Sequence, residues 1–326
     1  MGIALIVHGG AGAIGPERYD AAREGCRAAA AAGWQILLQG GSALEAVETA
    51  IVTLENDPGF NAGTGAVLTT DGRAELDAGL MDGSSLEVGA VAGVERIKNP
   101  IVLARSVLHS PHTLLMGKGA ELFAQRCGIP LCRRSDLVTP AQHARWQNGY
   151  GSGDDVHLGS KGDAGAPPQT SGSAVTAGAP VDAEMVHADG HQHGTVGAVA
   201  VDCQGRTAAG ASTGGIAAKH PGRIGDTPLP GCGFYAEDGL GGVSSTGHGE
   251  DFIRLVLARR ALDFIADGLS AQAAATACIR LLDQRLSGRG GLILLDARGR
   301  VGYARNTPAM AHAFMLPGME RVYAGV

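Results

Sequence analysis

Between residues 194 and 249 the chain sets hydroxyl and charged residues among glycines. Thr195 opens "TVGAVAVD", Thr213 lies in "ASTGG", Arg223 and Asp226 lie in "HPGRIGDTP", and Thr246 precedes Gly247 and Gly249 in "SSTGHGE". A threonine hydroxyl is a weak nucleophile until a base takes its proton. A threonine at a free N-terminus carries that base in its own α-amine, whose reference pKa is about 7.7 to 8.0. Here this requires breaking the bond between Gly194 and Thr195. Gly194 adds little bulk before that bond. Taken singly, these residues read as a β-branched strand residue, a turn, an exposed ion pair and a helix start. As a set that begins where a biased tract ends in Gly-Thr, they point to a nucleophile uncovered by cleavage.

The surrounding elements must position this set. "IALIV", residues 3 to 7, reads as a buried strand. Helical patterns follow from Glu17 to Gln39 and from Ser42, with Glu45 completing a capping box, to about Asn56. "GAVLTTDGRAELDAGLMDG" predicts a hairpin turning at Asp71 and Gly72, "LEVGAVAGV" another strand, and Pro100 to Cys127 further helix. From about 147 to 194 the chain is a Gly, Ala, Ser and Pro tract with too little apolar content to bury, which predicts a flexible linker. Beyond it come hairpins turning at Gln204 and Gly205 and at Arg298 and Gly299, with two amphipathic helices at 250–267 and 270–287 between them. Hairpins and helix pairs in both halves suit an α/β/β/α sandwich, but periodicity leaves the layer order open.

Composition narrows the function. Twenty-six Lys and Arg stand against 32 Asp and Glu with no basic run, which argues against nucleic acid as a partner. No segment approaches a membrane span, the N-terminal apolar run is too short for a signal, and the six cysteines form no CxxC pair. These features predict a cytoplasmic protein. The 52 glycines, with aromatics at 4%, predict tight turns and close backbone approaches around a site. "GAGAIG", Gly10 to Gly15, matches a dinucleotide turn but is followed by two helices rather than a helix and a second parallel strand. His187, His191 and His193 have metal-like spacing without a rigid element to hold them, and His109, His112 and His312 read as surface or capping residues.

The motifs "HGGAGAI", "LENDPGFNAGTGAV", "ELDAGLMDG", "GAVAGVERIKNPI", "GTVGAVAVD", "STGGIAAKHPGRIGDTPLPGCGFYA" and "SSTGHGEDFIR" resemble, in order and spacing, the plant-type L-asparaginase and isoaspartyl peptidase family of N-terminal nucleophile hydrolases. The resemblance spans nearly the whole chain outside about 147–190. It implies an α+β fold of four αββα layers and a precursor that cleaves itself before Thr195. Residues 1–194 then form an α subunit and 195–326 a β subunit of one structural domain, assembled as α2β2 and acting on L-asparagine and β-aspartyl dipeptides.

Carried over, Thr195 is nucleophile and base and Thr213 tunes it; Thr246 and Gly247 form the oxyanion hole. Arg223 clamps the substrate α-carboxylate and Asp226 the α-ammonium, Gly249 lines the pocket, and Asn61 faces the nucleophile. No cofactor is required for catalysis. The loop carbonyls of Leu54, Glu55, Asp57, Phe60, Ala62 and Thr64 are implied to wrap a structural sodium ion. The related glycosylasparaginase type typically carries Asp-Thr at the cut, Asn after "ST" and a secretory signal, whereas this chain has Gly194 and Gly214 at the two positions. An uncleaved binding protein is the alternative of another class.

Overall fold

The structure is a computed structural model describing residues 2–149 and 194–326. Most of the linker expected at 147–194, and the three histidines in it, lie outside the described residues. In chain order the first segment forms β1 (Ala4–Gly12), α1 (Tyr19–Leu38), α2 (Ala43–Asn56), β2 (Leu76–Asp82), β3 (Val88–Val94), α3 (Pro100–Leu108), β4 (Leu114–Met116), α4 (Gly117–Arg126) and α5 (Pro140–Gln147). The second forms β5 (Val196–Val201), β6 (Thr207–Thr213), β7 (Phe234–Glu237), β8 (Gly241–Gly247), α6 (Gly249–Leu255), α7 (Leu257–Ala266), α8 (Ala271–Leu286), β9 (Gly290–Asp296), β10 (Val301–Arg305), β11 (Ala309–Met315) and β12 (Tyr323–Gly325).

Eight strands form one sheet in the order β12-β11-β1-β5-β6-β2-β3-β4, and four form a second, β10-β9-β8-β7. Alternation along single strands sets the layers. Leu5 and Val7 of β1 pack with Ala29, Val47 and Ile51 of the helices on one face, while Ala4 and Ile6 meet Phe234, Ile293 and Leu295 between the sheets. In β9, Leu292 and Leu294 turn instead to Leu262, Ile279 and Leu282 of α7 and α8. The result is helix, sheet, sheet, helix. Strands from both sides of the Gly194–Thr195 bond interleave in the larger sheet, with β1 between β11 and β5.

Local signals explain several boundaries. Ser42 Oγ accepts from Glu45 N at 3.2 Å while the Glu45 carboxylate accepts from Ser42 N at 2.8 Å, so the expected capping box starts α2. The turn at Asp71 and Gly72 is closed by Thr69 N donating to Arg73 O at 2.8 Å, but its upstream arm is not a strand. That arm serves a loop: Val67 N donates to Asn61 Oδ1, and Leu68 O accepts from Ala218 N. The strand that pairs with β2 in a hairpin is β3. The single helix expected at 250–267 is broken at Val256, whose φ of 51° is left-handed, and just beyond the break Arg259 N bonds Gly231 O at 2.9 Å.

His312 is buried rather than at the surface. It lies opposite His8 across β1 and β11, and its ring packs 4.2 Å from that of Tyr303. Its Nδ1–H donates to Met310 O at 2.8 Å, and burial holds its pKa below the usual imidazole value.

Candidate active site

Thr195 sits immediately before β5, in the middle of the larger sheet, and is 6% exposed. Its hydroxyl lies 3.4 Å from Thr213 Oγ1, at the end of neighbouring β6, and 3.5 Å from Thr227 Oγ1. The carbonyl of Gly194 is gripped from two sides, by Asn61 Nδ2 at 2.8 Å and Thr213 Oγ1 at 2.9 Å. Asn61 also donates to Gly215 O at 2.7 Å and accepts from Val67 N at 2.8 Å, so its amide faces the residue before the nucleophile. Gly215 N in turn donates to Thr213 Oγ1 at 2.9 Å.

Glycine brings β1 against this point. Gly10 has φ of +107°, and a Cβ there would stand 2.9 Å from Gly194 Cα. The next residue, Ala11, donates its N–H to Thr246 Oγ1 at 3.1 Å. Thr246 is fully buried in β8, and this bond occupies a lone pair while leaving its own proton to donate. Gly247 ends β8 with φ of +156°. Fully buried His8 bridges the sheets, its Nε2 lying 3.0 Å from Ser244 Oγ, and burial pushes its pKa down to about 3 so that it stays neutral.

The charged pair lies on the loop after β6. Asp226 is 3% exposed with Oδ2 unpartnered among the described residues, and burial pushes its carboxyl up to about 7. Gly249 makes room for it, since a Cβ there would lie 2.9 Å from both Asp226 N and Oδ1. Arg223 presents Nε and Nη2 to the Glu250 carboxylate at 2.8 and 2.5 Å. Glu250 is held below the usual carboxylate range, at about 2, where the Arg223 guanidinium outweighs an opposing burial penalty.

Sequence reasoning missed Glu250, Thr227 and Lys219. The first two stand inside motifs already singled out, beside Gly249 and Asp226. Lys219, 2% exposed, ties the Arg223 loop to the stretch around β2, with Nζ donating to Glu75 O at 2.9 Å and lying 3.9 Å from Asp77 Oδ2. It too stands inside a quoted motif, four residues before Arg223, but nothing local shows that its ammonium is buried against β2.

The segment that begins at Leu54 in the last turn of α2 and runs past Thr64 turns at Gly63 and Gly65, whose φ values are +52° and +106°. A Cβ at Gly63 would be 2.5 Å from Glu55 O, and one at Gly65 would be 2.6 Å from Pro58 O and 2.9 Å from Phe60 O. Leu54 O, Glu55 O and Asp57 O each accept one backbone N–H, from Asp57, Thr64 and Phe60, which leaves each a second lone pair, and Thr64 Oγ1 is buried without a partner among the described residues; oxygens of this kind are the donors that a hard cation such as sodium takes. The Glu55 side chain is used elsewhere: it accepts from Ser212 Oγ at 2.7 Å, Ile101 N at 3.0 Å and Asn99 Nδ2 at 3.0 Å, while burial pushes its pKa up to about 8. No cluster of three or more His, Cys, Asp or Glu that could hold a metal occurs among the described residues. A surface groove lined by Phe264, Leu269, Ala273 and Leu281 shares none of the site residues.

Two sheets packed face to face between helical layers make the four-layer αββα fold of N-terminal nucleophile hydrolases, and Thr195 stands at the head of a central strand. The family model described as Asparaginase matches residues 1–322. The chain is 44% identical over 330 residues to the plant-type L-asparaginase of Pyrococcus abyssi, covering 99% of this chain and 100% of that one. It is 42% identical over 302 residues to the isoaspartyl peptidase/L-asparaginase of Rattus norvegicus, covering 92% and 82%. To the protein of that name from Bos taurus it is 39% identical over 334 residues, covering 100% and 96%. This chain belongs to the asparaginase family and is an enzyme acting on small molecules. No described helix is long and apolar enough to cross a membrane.

Proposed function

We propose that the chain cleaves itself between Gly194 and Thr195, and that the uncovered threonine hydrolyses the side-chain amide of L-asparagine and β-aspartyl dipeptides. The observation that carries this reading is the pair of donors, Asn61 Nδ2 and Thr213 Oγ1, already aimed at the Gly194 carbonyl oxygen. Attack of Thr195 Oγ on that carbonyl carbon places negative charge on the oxygen they hold. The peptide nitrogen takes up the proton given up by Oγ and leaves as the Thr195 amine as the C–N bond breaks, and water opens the resulting ester to free the Gly194 carboxylate and restore the hydroxyl.

In the mature enzyme the α-amine takes the Thr195 hydroxyl proton as Oγ attacks the substrate β-carbonyl. Thr246 and Gly247 N–H receive the oxyanion. The amine returns the proton to the leaving nitrogen, and water releases aspartate from the ester. Arg223 and Asp226 hold the α-carboxylate and α-ammonium, which both substrate classes share. Departure of Gly194 frees one Asn61 donor to face the substrate. The names of the relatives, plant-type L-asparaginase and isoaspartyl peptidase/L-asparaginase, support this pair of substrates.

A sodium ion on the loop carbonyls from Leu54 to Thr64 would brace the segment that carries Asn61 and supply no catalytic step. The two cleaved segments, 1–194 and 195–326, would stay together as one domain, and two such units would form the α2β2 assembly. A cytoplasmic location rests on the unpaired spacing of the cysteines.

The test is a gel and N-terminal sequencing of purified protein, followed by assay on L-asparagine and a β-aspartyl dipeptide. The expected second fragment begins TVGAV. Thr195→Ala should abolish both cleavage and hydrolysis, and Thr195→Ser should retain part of each; an alanine variant still split at that bond would refute the assignment.

A further inference from the structure

Three hydroxyls meet at the cleavage point, with Thr213 Oγ1 and Thr227 Oγ1 lying 3.4 and 3.5 Å from Thr195 Oγ1. Each hydroxyl has one proton to give. Thr213 commits its proton to Gly194 O at 2.9 Å, so at the contact with Thr195 it accepts. Thr195 is therefore donor to Thr213, and its proton is spent. At the remaining contact only Thr227 can be the donor.

Thr227 is 1% exposed and its position is tightly held. Leu229 N donates to Asp226 O at 2.9 Å, and a Cβ at Gly233 would come within 2.5 Å of Asp226 O and 2.8 Å of Thr227 Cα. The loop cannot drift from the nucleophile without losing that fit. It also joins two tasks in consecutive residues, with Asp226 beside the charged pocket and Thr227 on the nucleophile.

We propose that Thr227 is a catalytic residue that donates its hydroxyl proton to Thr195 Oγ without giving it up. This rests on the reading of Thr195 as nucleophile. As the α-amine removes the Thr195 proton, Oγ gains negative charge, and the long contact to Thr227 shortens into a charge-assisted hydrogen bond. With Gly194 gone, the Thr213 proton is released as well, so Oγ can accept from two hydroxyls. The Oγ–C bond forms, the substrate C–N bond breaks, the amine passes its proton to the leaving nitrogen and water opens the ester. Thr227 ends with the proton it began with.

The test compares Thr227→Ser, Thr227→Val and Thr227→Ala with wild type in cleavage rate, kcat and KM for L-asparagine, and melting temperature. Serine keeps the hydroxyl and should stay near wild type. Valine and alanine should each lose roughly ten- to a hundredfold in cleavage rate and kcat while KM stays close to wild type. Alanine adds no bulk, so it carries the test where valine fails to fold. A hydroxyl-free variant with wild-type kcat, or a serine variant as slow as alanine, would overturn the role of Thr227. A wild type that neither cleaves nor hydrolyses would instead refute the reading beneath it.

Discussion

Asn61 Nδ2 donates to the carbonyl oxygen of Gly194 at 2.8 Å, across a separation of 133 residues in the chain. The bond ends on the atom that becomes an oxyanion if Thr195 attacks the peptide before it. Loss of one preorganised donor of this kind typically costs about 2.7 to 4 kcal/mol of transition-state stabilisation. Asn61→Ala should therefore slow self-cleavage roughly a hundred- to a thousandfold, as followed on a gel, while the protein still melts cooperatively. Maturation at the wild-type rate would show that Asn61 serves the loop alone.

Arg223 offers a second test because Glu250 already occupies its Nε and Nη2. That pairing points the guanidinium and leaves its remaining donors for a substrate carboxylate. Arg223→Ala should lower kcat/KM for L-asparagine and β-aspartyl dipeptides alike, by about 1.5 to 3 kcal/mol or roughly ten- to a hundredfold. Arg223→Lys keeps charge without the fork and should fall between alanine and wild type. Cleavage should change less, since the precursor presents no free carboxylate there. Unchanged efficiency on both substrates would remove Arg223 from recognition.

The pH dependence follows from Asp226, which burial raises from 3.8 to about 7. Below that value the carboxyl is neutral and grips an ammonium group poorly, so kcat/KM should climb as pH rises through about 7. Stability runs the other way. The contribution of this group is fully present below pH 3.8, where unfolded and folded forms both hold the proton, and is lost as pH rises through about 7. Asp226→Asn should lose substrate binding yet gain melting temperature relative to wild type as pH is raised from about 3 to 8, a range that spans both 3.8 and about 7. Parallel melting curves for the two proteins across that range would contradict the assignment.

The carbonyl-lined loop around Gly63 and Gly65 makes an ionic prediction. Exchanging sodium for a large organic cation at constant ionic strength should lower the melting temperature, because an ion bound only by the folded chain stabilises it by mass action. The same exchange should slow cleavage through Asn61, which the loop carries. Identical melting in both salts would exclude the ion.

Much of the fold was legible because local rules act on contiguous residues. Ser42 and Glu45 announced α2 through a capping box, and turns at Gly205 and Gly299 separated short apolar runs that read as strands. The hairpin at Asp71 and Gly72 misled for an equally physical reason: the turn forms, but the backbone of Val67 and Leu68 is engaged by Asn61 and Ala218 rather than by a strand. His312 looked like a surface residue because nothing beside it in sequence reveals that Tyr303 and Tyr323 close over it.

The sequence by itself determined which side chains could do chemistry: Thr195 after a biased tract, and Arg223, Asp226 and Thr246 among glycines that leave the backbone free to turn. Motif order was enough to place the chain in its family. Only the tertiary structure decided the layer order, the grip of Asn61 and Thr213 on Gly194, the pairing of Glu250 with Arg223, and the contact of Thr227 with Thr195. Local pattern restricts backbone angles and selects the face that each element buries. It does not say which loops meet across two sheets, because those meetings depend on packing between segments far apart in the chain.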